Sequence, residues 1–151
     1  MTTQRNAARS VRPQRALAVA GATAAVAPLW IGAWAMGVEF DVVSGGRPMV
    51  VSLPLVLTTA LAVSLAGWGA LALLERLTAR AARIWTAIAV AVLLISLVPL
   101  PAVETESATR VVLALMHVAV GAVLIPALRA TTTARDATTV ATATAGASKR
   151  A

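Results

Sequence analysis

PMVVSLPLVLTTALAVSLAGWGALALL, residues 48–74, carries no charged side chain. As a helix rising 1.5 Å per residue it would reach about 40 Å, more than the roughly 30 Å hydrocarbon core of a bilayer. Three more charge-free stretches accompany it: Ala16–Val38, Ile84–Val103 and Val111–Leu128. A core helix of a soluble domain seldom exceeds about 14 uninterrupted apolar residues, so all four stretches read as membrane spans. Composition agrees. Hydrophobic residues make up 59% of the chain and charged ones 13%, against about a quarter charged in soluble domains. The expected fold is all-α, a four-transmembrane-helix bundle with short loops. It forms one domain over residues 16–128, with spans near 16–36, 50–74, 84–100 and 111–128.

The charges are sorted between the gaps. Arg5, Arg9, Arg12 and Arg15 precede the first span, Arg76, Arg80 and Arg83 join the second to the third, and Arg129 and Arg135 follow the fourth. The other two gaps hold Arg47 and Arg110 with the acids Glu39, Asp41, Glu104 and Glu106. Arginines near span ends keep their loops on the cytoplasmic side, so both termini are expected there (N-in/C-in). The same arginines attract anionic lipid headgroups, at about 1 kcal/mol each near the surface. The net charge of +7 needs no nucleic acid to explain it, since the basic residues form no single face. Arginine far outnumbers lysine and alanine dominates, a bias that fits a high-GC bacterial genome and places the chain in a bacterial plasma membrane. With no cysteine, disulfides and thiolate chemistry are excluded.

The ends differ from the middle. Residues 1–15 form a polar, Arg-rich N-tail and residues 129–151 a Thr/Ala-rich tail, both expected to be disordered and cytoplasmic. The Ala25-Val26-Ala27 sequence resembles a leader cleavage site. Pro28 would then begin the mature chain and the apolar run continues beyond it, so the first span is expected to be retained. Pro28 should kink that span. Trp30 and Trp34 sit one turn apart near its outer end, as in an aromatic belt. Val38-Glu39-Phe40-Asp41-Val42 alternates strictly, which predicts an extended segment with its apolar side toward the membrane. Gly45-Gly46 predicts a turn after it. The inner gap from Glu75 to Arg83 is short, so the second and third spans should be antiparallel neighbours.

His117 is the only titratable group inside a span. Thr58, Thr59, Ser96 and Trp30 fall at comparable depth in the other spans, so a ligand- or proton-handling cluster under an acidic rim of Glu39, Asp41, Glu104 and Glu106 is a candidate site. The bland alternative is a neutral imidazole bonded to a neighbouring helix. A single histidine with no carboxylate or cysteine nearby is a poor catalytic set. No enzyme activity, metal site or cofactor is therefore expected.

Several short motifs resemble an uncharacterised family of four-helix integral membrane proteins of actinobacteria. They are Gly37-Val38 with Asp41, Gly67-Trp68-Gly69, Leu74-Glu75-Arg76, Ser96-Leu97 with Pro99-Leu100, and Leu113-Ala114-Leu115-Met116-His117. The resemblance covers about residues 16–128 and implies the four-span architecture without an activity. Function is expected to lie in helix–helix or partner contacts, with the lipid bilayer and a second copy or another membrane protein as partners. The alternative is a small transporter, oligomeric in one form, with an outward-facing pocket around His117.

Overall fold

The computed structural model describes residues 2–44, 46–102 and 105–148, with side chains over 11–43, 46–101 and 105–134. Among the described residues the regular structure is helical apart from one small hairpin. Helices α1 (Thr2–Ala24) and α2 (Val26–Ala35) form one bent rod, followed by strands β1 (Asp41–Ser44) and β2 (Arg47–Val50). Helices α3 (Leu53–Leu77) and α4 (Ala81–Leu97), a 3-10 turn (Leu100–Ala102) and α5 (Ser107–Ser148) complete it.

The bend between α1 and α2 has a chemical cause. Pro28 has no N–H to offer the carbonyl of Ala24, and its ring crowds that carbonyl. The helix therefore opens at Ala25, whose own N–H still reaches Gly21 O at 2.9 Å. At the other end of α2, Gly37 takes φ +82°. There Val38 N donates to Ala33 O and Gly37 N to Trp34 O, both at 3.0 Å. This is a Schellman closure, which needs a left-handed residue where the glycine stands.

The alternating segment does extend, and Gly46 at φ +76° turns it back. Asp41 pairs with Val50 and Ser44 with Arg47 in an antiparallel ladder. Glu39 and Asp41 are exposed, while Phe40 and Val42 are buried. The apolar side packs on protein rather than on lipid: Phe40 joins Val26, Ala33, Ala60 and Met116 in one core cluster. The hairpin is thus a cap on the helices, a correction to the expected membrane-facing placement.

Helices α3 and α4 run antiparallel about a tight turn, and Trp85 donates its indole N–H to Gly67 O at 2.9 Å. Each of these two touches a second neighbour, α1 for α3 and α5 for α4, while α1 and α5 pack on each other. A second core cluster, Ala18, Val19, Ala22, Leu71, Trp85, Leu124 and Leu128, lies between these helices. The alanines let the backbones approach closely.

Three segments are long and apolar enough to cross a membrane: Val11–Ala35, Leu53–Leu77 and Ser107–Ala134. Ala81–Leu97 is a shorter apolar helix. It starts and ends three residues before the expected 84–100; the early end follows from Pro99 and Pro101, which cannot continue a helix, so the chain tightens into the 3-10 turn. The end segments also depart from expectation. Helix α1 already runs through residues 2–15, and α5 passes Pro126 and continues to Ser148. The boundaries at 15/16 and 128/129 are therefore not structural boundaries: Arg15, Thr131 and Thr132 are buried helix residues. Alanine, the best helix former, is frequent in both ends and offsets the poorer threonines.

Candidate functional site

At the hairpin end, aromatic rings stack in series. Trp30 lies 5.1 Å from Phe40 and 6.3 Å from Trp34, centroid to centroid, with rings nearly parallel. The indole N–H of Trp30 donates to Val51 O at 2.8 Å, which ties α2 to the chain just after the hairpin. These rings, with Gly37, Glu39, Asp41 and Ser52, line an open pocket of about 570 Å³. The start of α5 is stitched to the same place. Thr109 Oγ1 donates to Glu39 O at 2.6 Å and Thr105 Oγ1 to Asp41 O at 2.8 Å. The exposed carboxylates of Glu39 and Asp41 thus sit beside an exposed Trp34 face, with exposed Glu106 on the adjoining α5 start. Carboxylates beside an aromatic face attract cations. Glu104, the fourth acid of the expected rim, lies outside the described residues.

The cluster expected around His117 is only partly assembled. His117 is half-buried and bonds Leu113 O through Nδ1 at 2.7 Å. A carbonyl can only accept, so Nδ1 carries the hydrogen in this contact. The neighbouring Met116 is buried in the core cluster against which Trp30 packs. Helix α4 passes close by: a Cβ on Gly121, one turn beyond His117, would lie 2.7 Å from Leu93 Cδ2. Since α4 and α5 are antiparallel, Ser96 lies near the depth of His117, but its hydroxyl donates to Leu93 O at 2.7 Å. Thr58 and Thr59 are exposed, and Thr58 Oγ1 bonds Pro54 O and Leu55 O of its own helix. Among the described residues, no three His, Asp or Glu side chains converge as a metal site.

The most highly connected polar group lies at the opposite, basic end, in residues the sequence reading assigned to tails and loops. Arg15 on α1 holds Glu75 on α3 through both terminal nitrogens, at 3.1 and 2.5 Å. Its Nε donates to Thr131 Oγ1 at 2.9 Å, and Thr132 Oγ1 donates to Glu75 Oε1 at 3.0 Å. The two side chains are 6% and 9% exposed. Three helices therefore meet in a bidentate ion pair whose remaining hydrogen-bonding positions are partly filled by hydroxyls. The available signal was Glu75, the one acid in an otherwise basic inner gap.

A family model matches residues 6–134, a range that takes in the kinked first rod, the hairpin, His117 and the whole Arg15–Glu75–Thr131–Thr132 group. The chain belongs to DUF6069, a family of unknown function. The DUF6069 match extends beyond residues 16–128, over which the motifs were recognised, and reaches the buried threonines of α5. Searches of curated proteins and of solved structures each found no match to this DUF6069 chain.

Proposed function

We propose that this chain is a four-span protein of the bacterial plasma membrane that acts through contacts with a second copy or another membrane protein, without catalysis. Three helices have the length and apolarity to cross. The fourth, α4, has 17 residues, which lies at the short end of the spanning range. The sorting of arginines puts both termini and the α3–α4 turn in the cytoplasm and the hairpin outside. The observation that carries the non-enzymatic reading is where the polar side chains of the apolar segments point. His117, Thr58, Ser96 and Trp30 each bond a backbone carbonyl, and among the described residues no hydrogen bond pairs His117 with a serine or threonine hydroxyl as a base with its nucleophile. A surface for contacts exists on α4, where Ile84, Ile88, Val92 and Ile95 form an exposed stripe at near-helical spacing.

One observation favours the transporter alternative: half-buried His117 bonds Leu113 O through Nδ1, and among the described residues no hydrogen bond engages its Nε2. His117→Ala separates the two readings. The contact reading predicts unchanged proton-dependent uptake and efflux across a cation panel, while oligomer or partner assembly alone responds. Altered proton-coupled flux with intact assembly would favour transport instead.

A further inference from the structure

Beside the buried ion pair, α1 and α3 leave a groove of about 330 Å³, lined among others by Arg12, Arg15, Trp68, Ala72, Glu75 and Arg76. Its charges are not equivalent. Arg15 and Glu75 neutralise each other, and Glu75 is further held by Thr132. Arg12 and Arg76 are exposed and make no ion pair among the described residues. Eight residues along α3 from Arg76, about 12 Å at helical rise, stands Trp68. Its indole N–H makes no hydrogen bond among the described residues, unlike those of Trp30 and Trp85. Ala72 lies between, small enough to leave the groove open. One end is thus dicationic and the other apolar with a single donor.

We propose that this groove binds an anionic glycerophospholipid, with its phosphate between Arg12 and Arg76 and the first acyl carbons along Ala72 and Trp68. The proposal rests on the membrane reading above, which puts this end at the bilayer interface. A zwitterionic lipid suits the groove less. Its ammonium group would meet two guanidiniums, and the only carboxylate is already engaged by Arg15 and Thr132. Such a lipid would bridge α1 and α3, the two helices the ion pair joins, and would stabilise the folded chain by mass action.

The test uses the full chain in a neutral maltoside micelle, with lipid adducts counted by native mass spectrometry and unfolding followed with added lipid. Phosphatidylglycerol should bind about tenfold better than phosphatidylcholine, since two guanidinium contacts each contribute severalfold near a surface, and should raise the melting temperature. Arg12→Gln/Arg76→Gln should abolish that preference, whereas Arg80→Gln/Arg83→Gln, with the same loss of charge outside the groove, should keep it. Trp68→Phe, which retains both arginines, should weaken binding and serves if the double variant fails to fold. Equal losses in the two double variants would overturn the proposal in favour of diffuse surface charge. Equal stabilisation by glycerol phosphate would overturn it in favour of a free phosphate site. In either case a chain that partitions into micelles leaves the membrane reading standing, and one that stays in the aqueous phase removes that reading itself.

Discussion

Replacing Glu75 by glutamine keeps the shape of the side chain and removes its charge, leaving the Arg15 guanidinium 6% exposed without a counter-ion. Breaking a buried pair from one side costs about 3–5 kcal/mol, because the remaining charge has lost its water and gains nothing in return. A glutamine oxygen can still accept from Arg15 or Thr132, so the lower value, about 3 kcal/mol, is expected. For a chain of this length that corresponds to a drop of on the order of 10 °C in the unfolding midpoint. Replacing both partners by apolar groups of similar size, Arg15→Met with Glu75→Leu, removes the uncompensated charge and should restore most of the loss. The assay is unfolding in one detergent, followed by loss of helical circular dichroism, of wild type, Glu75→Gln, Arg15→Met, Glu75→Leu and the Arg15→Met/Glu75→Leu double variant, the last three and wild type being combined as a double-mutant cycle. A Glu75→Gln midpoint within about 2 °C of wild type, with no coupling in the cycle, would refute the reasoning. It would mean that Arg15 reaches water and that the ion pair is solvated.

The packing of α4 on α5 makes a second prediction. Gly121→Val should destabilise by about 1–3 kcal/mol through overpacking, because a Cβ alone would already come within 2.7 Å of Leu93. The same substitution in a Leu93→Ala background should cost less, measured by the same unfolding assay. Gly69 has nothing within 4 Å of its would-be Cβ, so Gly69→Ala should be neutral or stabilise by up to about 1 kcal/mol. Trp30→Phe keeps an aromatic ring for the stack and deletes the donor to Val51 O. It should cost about 1–2 kcal/mol, and hydrogen exchange at the Val51 amide, bonded to Phe40 O, should speed up.

What was legible in the sequence follows from which forces are local. Charge-free runs show directly because a charged side chain in hydrocarbon is costly, so the long helices lie where the runs lie. The bend near Pro28 and the turn at Gly46 are backbone chemistry and were equally readable. The strict alternation around Phe40 announced an extended segment but not what covers it, since a strand period distinguishes two faces without saying which is lipid and which is protein. The Arg15–Glu75–Thr131 group was not legible. Its members are separated by 60 and 116 residues, and at a span end a buried arginine and a solvated one look alike. For His117, depth could be read by counting residues, but rotation about each helix axis could not. Ala60 and Ser64 take the interior of α3, which turns Thr58 and Thr59 outward.

The central claim, four crossings with both ends inside, is tested most directly by labelling single cysteines, because the chain has none of its own. Ser44→Cys in the hairpin, Ala79→Cys in the α3–α4 turn and Ala141→Cys in the distal part of α5 would each be exposed to an impermeant maleimide on intact cells. The account predicts labelling of Ser44→Cys alone, with the other two reacting only after the membrane is permeabilised. Labelling of Ala141→Cys together with Ser44→Cys on intact cells would contradict it, since the short helix α4 would then not cross and the chain would span three times.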